Sequence, residues 1–166
     1  MLLWPVAAQA DPLTLVLTPG AQTGAPGSLL TFSGSLTNTG TSALFLNGLN
    51  LQLNAPGGAF TLDEFAFFVN VPQQLAGGQT TGTVPLFTVT LGSGALPGTY
   101  SGSITILGGL TDAAFDELTT QFFEVTVQSA ADPVPEPATI ILLGTGLAGV
   151  LVSARSRRRA RRSVND

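Results

Sequence analysis

The chain of 166 residues has no cysteine, no histidine and no lysine, and only 10% of it is charged. It has one methionine, one tryptophan and one tyrosine. Each absence removes a class of chemistry. Without cysteine there is no disulfide framework, thiol nucleophile or thiolate metal site. Without histidine there is no Ser-His-Asp or Cys-His system and no imidazole-held metal; without lysine there is no Schiff base. What remains is a pair of carboxylates, as in glycoside hydrolysis. Asp63 and Glu64 are adjacent, so on a strand they would point to opposite faces. Asp112, Asp116 and Glu117 share the loop-like stretch TDAAFDEL and read as solvated turn residues. They are candidates for Ca²⁺ by ligand type, but the regular D-x-D-x-D spacing is missing. No glycine loop that would cradle a phosphate is visible outside an apolar run near the C-terminus. The expectation is no enzyme and no cofactor.

What positive charge there is lies in one place. The six basic residues are Arg155, Arg157, Arg158, Arg159, Arg161 and Arg162, and nine of the ten acids precede Ala138. The formal net charge of −4 therefore averages an acidic body and a basic tail. Between them, Ala138 to Ala154 is a 17-residue run without a charge. As a helix it would span about 26 Å, the short end of a membrane crossing. Arginines behind such a run stay cytoplasmic, so the tail reads as a stop-transfer anchor with the acidic body outside. A buried C-terminal helix leaves the arginines unexplained. A nucleic-acid arm would want aromatics to stack on bases, and the run holds none. Gly144 and Ala148 form a small-xxx-small pair that lets helices approach closely, though glycine is common in membrane helices anyway.

The other end fits export. In MLLWPVAAQA, Ala8 and Ala10 have the small-x-small spacing of a signal-peptidase site. A basic n-region and a longer apolar core are missing. The expectation is that 1–10 is the end of a signal peptide that begins further upstream.

Between the ends, 11–130 reads as one domain. Period-two alternation recurs. One face collects Leu13, Leu15 and Leu17; others collect Leu30, Phe32, Gly34 and Leu36, then Leu49, Leu51 and Leu53. The pattern continues with Phe87, Val89 and Leu91, with Tyr100, Gly102, Ile104 and Ile106, and with Phe123, Val125 and Val127. Turn signals separate the runs, among them Pro19-Gly20, Asn38-Thr39-Gly40, Asn47-Gly48 and Pro97-Gly98. Short strands with one polar face predict an antiparallel immunoglobulin-like β-sandwich of about seven strands. FSGSLT at Phe32 echoes YSGSIT at Tyr100, which predicts two central strands whose Gly34 and Gly102 leave room for a bulky neighbour across the core. Tyr100 follows Pro-Gly-Thr as a corner tyrosine would, its hydroxyl bonding back to nearby backbone.

Val134, Pro135, Glu136 and Pro137, followed by the apolar run and the arginines, resemble the PEP-CTERM sorting signal of Gram-negative bacteria. The resemblance covers about the last 30 residues. It implies processing by exosortase, a membrane enzyme thought to cut near Pro-Glu-Pro and pass the domain to the cell surface or an exopolysaccharide matrix. The stretches APGSLLTFSGSLTNTG, PLFTVTL and LPGTYSGSITILGG resemble, more loosely, the Ig-like body of some such proteins. The residues support the motif on their own. Pro135 and Pro137 lack N–H donors and push their predecessors out of the α region. The linker 131–137 is then extended backbone beside the membrane, with Glu136 as its one charge after Asp132. A stiff juxtamembrane spacer is the plainer account.

The expected order is thus signal-peptide end (1–10), β-sandwich (11–130), linker with the sorting motif (131–137), transmembrane helix (138–154) and cytoplasmic tail (155–166). The expected role is structural, in an exopolysaccharide or biofilm matrix, with exosortase and the membrane as partners and no nucleic acid. An adhesin or carbohydrate-binding module on the same scaffold is the second reading, and a glycosidase-like enzyme the last. Carbohydrate binding would need exposed aromatics, for which Phe65, Phe67 and Phe68 in FAFFVN are candidates, although core packing accounts better for most of the ten phenylalanines.

Overall fold

All six alternating runs are strands, and each places its apolar face inward. The computed structural model describes residues 12–129. Outside them lie Ala8 and Ala10, expected as a signal-peptidase site, the motif Val134 to Pro137, the apolar run 138–154, expected to cross the membrane, and the six arginines. The chain divides into two units, Met1–Ala130 and Ala131–Asp166. Among the described residues no helix is long and apolar enough to cross a membrane.

The strands are β1 (Leu13–Leu17), β2 (Ala21–Gly24), β3 (Leu29–Asn38), β4 (Leu44–Leu53), β5 (Phe60–Asp63), β6 (Gln74–Leu75), β7 (Val84–Leu91), β8 (Gly98–Gly109) and β9 (Asp116–Val127); a short helix, α1 (Phe65–Asn70), lies between β5 and β6. They form two sheets, ordered β1-β3-β7-β5 and β2-β9-β8-β4-β6. This is an all-β sandwich with the sheet division of immunoglobulin-like domains.

Two expectations are corrected. There are nine strands among the described residues, not about seven; β5 and β6, of four and two residues, are too short to show alternation. Nor is every pair antiparallel. β2 runs parallel to β9, because β1 and β2 are one stretch of chain interrupted at Thr18-Pro19-Gly20. Pro19 has no N–H for the β3 ladder. After Thr18 N–H donates to Ser33 O, at 2.8 Å, the chain crosses without reversing and joins the other sheet, where Gly20 O accepts from Glu124 N–H at 3.0 Å.

The core centres on three rings. Phe32 and Phe87, directly paired in the four-stranded sheet, stack at 4.8 Å with 4° between planes. Phe123 from the opposite sheet meets them at 5.0 and 4.9 Å. Such pairs contribute about 0.5–1.5 kcal/mol each beyond their burial. The described residues 12–129 form one hydrophobic core from both sheets, so the unit Met1–Ala130 has a core of its own, the requirement for independent folding.

Gly34 and Gly102 are buried on β3 and β8, one in each sheet. What fills the space beside them is in the same sheet, not across the core. The Phe123 ring covers its strand partner Gly102, where a Cβ would also lie 2.6 Å from Gln52 O. A Cβ at Gly34 would lie 2.7 Å from Val16 O and 3.0 Å from Leu86 Cδ1. Tyr100 forms the corner: its hydroxyl donates to Leu96 O at 2.9 Å, and its ring meets Phe60 edge-on at 4.8 Å.

Candidate functional site

The five-stranded sheet carries a bulge beside a cleft lined by two exposed aromatic rings. Asn47-Gly48 is not a turn; it lies inside β4, where the register against β8 shifts between Leu46 and Gly48. The shift leaves Asn47 without a β8 partner. Its Nδ2 instead donates to Thr111 O at 3.1 Å and Ala114 O at 2.8 Å, clamping the β8–β9 loop to β4. The clamped loop lays Phe115 over Gly48, where a Cβ would be 3.7 Å from the ring.

The facing wall is α1. FAFFVN is too short for helical periodicity to register, and its ends are held locally. Asp63 Oδ1 accepts from Phe65 N–H at 2.8 Å, and Val71 N–H donates to Phe67 O at 2.9 Å. The helix buries Phe67 and leaves Phe65 and Phe68 exposed. Phe68 stands edge-on to Phe67 at 5.4 Å. The cleft of about 340 Å³ between these walls has Phe68 and Phe115 at its sides and Leu46, Phe67 and Val71 at its base, with Asn47, Gln73 and Asp112 around the edge.

The carboxylates are dispersed. Asp112, in the β8–β9 loop, borders this cleft. Asp116 and Glu117, the first residues of β9, border a separate cavity of about 480 Å³ with Thr41, Ser42 and Leu44. Asp63 ends β5, and Glu64 is the residue before α1; both border a third depression, with Asn50 and Thr61. No group of three or more such ligands close enough to hold a metal ion occurs among the described residues. Sequence reasoning missed Asn47, Gln73 and Phe115; only the extra residue that breaks alternation at Asn47 could have signalled the bulge.

Comparisons with known proteins bear on the two units differently. Residues 133–159 match the PEP-CTERM protein-sorting motif. No curated protein matches the chain. Among solved structures, the ASH/PapD-like domain of human CEP192 is similar at 16% identity and a TM-score of 0.43, over 80% of this chain and 96% of that one. SSP-19, an MSP-domain protein like family member of Caenorhabditis elegans, is similar at 13% identity and a TM-score of 0.40, over 68% and 98%. A segment of Escherichia coli alpha-2-macroglobulin is similar at 19% identity and a TM-score of 0.48, over 73% and 17%.

Proposed function

We propose that this chain, which carries a PEP-CTERM sorting motif at 133–159, is an exported protein held at the inner membrane by its C-terminal segment until exosortase releases it to the cell surface. The observation that carries the reading is the motif match together with its setting. Pro-Glu-Pro, an uncharged run and six arginines follow, in that order, a sandwich that ends at β9. In this arrangement Arg155 to Arg162 hold the tail in the cytoplasm, 138–154 halts transfer, and Pro135 to Pro137 offer exosortase its recognition segment on the outer side. The domain released is then a structural component of an extracellular matrix.

We read the sandwich as non-catalytic. Its carboxylates are solvent-exposed; Asp63 and Glu64, Asp112, and Asp116 and Glu117 border three separate depressions and Glu124 borders none of them, so we read no facing pair across a substrate. A binding role on the same scaffold is favoured by one observation, the exposure of Phe68 and Phe115 on a shared cleft.

Intact-mass spectrometry of the protein from cells with and without exosortase tests the sorting reading. Cleavage near Pro137 only when the enzyme is present is the expected result. A chain that still ends at Asp166 in the presence of the enzyme refutes it and leaves a plain membrane anchor.

A further inference from the structure

We infer that the cleft between α1 and the β8–β9 loop is a binding site for a neutral polysaccharide, with one sugar ring held between Phe68 and Phe115. The inference rests on the export reading only for where the polymer is met; binding itself belongs to the folded sandwich.

Phe68 is 54% exposed and Phe115 63% exposed, and both turn onto the same concavity. Single exposed aromatics are ordinary. Two from different elements converging over an apolar base make a concave site of about 340 Å³, within the range of ligand pockets. The position of each ring is also enforced. Asn47 spends both N–H groups of its amide on the loop that carries Phe115, and Phe68 is set by the burial of its neighbour Phe67. A preorganised wall loses little freedom when a ligand arrives.

The edge of the cleft specifies hydroxyls. With its amide N–H groups committed, Asn47 offers its Oδ1 as an acceptor. Among the described residues no hydrogen bond engages the side chains of Gln73 or Asp112, which leaves an amide donor, an amide acceptor and a carboxylate. A sugar ring matches this set: its C–H face is apolar enough to lie on an aromatic ring, and the hydroxyls around it both donate and accept.

Charge argues against an anionic polymer, a bare cation and a second copy of the chain. The described residues contain six acids and no basic residue, so an anionic polymer is repelled and finds no counter-charge. A bare cation finds one carboxylate, Asp112, at this cleft. A second copy of the chain would bring another acidic domain against the first. The site is also well placed for a long polymer. It lies at the Asp116 end of β9, and the 12 residues of that strand carry the chain about 40 Å before it leaves the sandwich. The cleft therefore lies at the opposite end of β9 from Val127.

The test uses the unit 11–130, without exosortase or membrane. Its binding is measured by saturation-transfer NMR and titration against cellohexaose, laminarihexaose, maltohexaose, mannohexaose and an alginate oligomer. At least one neutral hexasaccharide should bind with a Kd on the order of 0.1–1 mM, and alginate should not. Phe68→Ala and Phe115→Ala should each weaken binding at least tenfold. Phe122→Ala should leave it unchanged, since that equally exposed ring sits in a separate depression with Ser101 and Ser103. If an alanine variant lowers the melting temperature, Phe115→Tyr, which keeps the ring, must retain binding. Four outcomes overturn the inference: no neutral oligomer binds, binding survives loss of both rings, binding tracks Phe122, or sedimentation shows a dimer that Phe68→Ala abolishes. A failed binding test leaves the cleavage result untouched, and the converse holds.

Discussion

Asn38→Ala should cost the sandwich about 3 kcal/mol, more than any single surface change. Asn38 is the one fully buried polar side chain among the described residues, and it closes three segments at once. Its Nδ2 donates to Ser42 O at 2.8 Å and to Leu75 O at 2.9 Å, and its Oδ1 accepts from Gly40 N–H at 3.0 Å. The end of β3, the β3–β4 turn and β6 are thereby tied to one amide. Alanine strands all three backbone partners. The Leu75 bond is fully buried, so its loss carries the full desolvation penalty of about 1–3 kcal/mol. The other two are part-buried, and water recovers some of their loss, so about 0.5–1 kcal/mol each is the fair figure. With an m-value of about 1.5 kcal/mol/M, the urea midpoint read by circular dichroism should fall by about 2 M. The isosteric Asn38→Asp tests the donor sense of the network. It sets a buried carboxylate against the Ser42 and Leu75 oxygens and should cost at least as much at pH 7. Its folded-state pKa would lie above the unfolded value of about 3.9, so the loss should be smallest below that pH and grow as the pH rises. A change below about 0.5 kcal/mol for Asn38→Ala, the size of a surface substitution, would refute a dry network.

Ile104→Ala, at a fully buried site in β8, should cost about 2–5 kcal/mol by urea denaturation; a loss under about 0.5 kcal/mol would reverse the face assigned to that strand. Tyr100→Phe removes only the 2.9 Å bond to Leu96 O and should cost about 1 kcal/mol, with the ring contact to Phe60 intact; no change would mean that the corner bond is matched by water. Gly102→Ala drives a methyl towards Gln52 O and the Phe123 ring and should cost about 1–3 kcal/mol, whereas an unchanged melting temperature would show that β4 can move aside. If processing falls close to Pro137, the piece from Asp11 to Glu136 has nine acidic side chains and no basic ones. It should elute later from an anion exchanger than the full chain and, lacking histidine, shift little between about pH 6 and 8; coelution with the full chain would contradict cleavage.

The alternating strands were legible because burial on one face and solvent on the other is a two-residue rhythm, and the runs around Leu13, Phe32, Val89, Ile104 and Val125 keep it long enough to show. Tyr100 was legible because a corner needs one hydroxyl within reach of local backbone, and Pro97-Gly98 supplies the turn that brings Leu96 O to it. The echo of FSGSLT and YSGSIT was read correctly as two central strands and incorrectly as room for a partner across the core. Alternation states which face a residue occupies, whereas the occupant of the space above a glycine depends on strand register. Here register puts Phe123 directly opposite Gly102, and that pairing comes from segments some twenty residues apart.

The cleft was not legible, for the same reason in stronger form. Asn47-Gly48 is a common turn signal because both residues tolerate unusual backbone, yet this pair interrupts a ten-residue strand. What decides between a turn and a bulge is the β8 ladder, which holds β4 on either side of the break, and no local pattern encodes that ladder. Once the bulge exists, the consequences run outward through contacts distant in sequence. Asn47 reaches Thr111 and Ala114, the loop places Phe115, and α1 brings Phe68 from the other side. FAFFVN could be named beforehand as a source of exposed rings, but which ring would be buried depended on α1 facing β7 and β4. Phe67 turned inward, and the two outward neighbours Phe65 and Phe68 became surface. The residue types that a binding site needs were therefore visible in the chain, while their convergence was a property of one irregular strand.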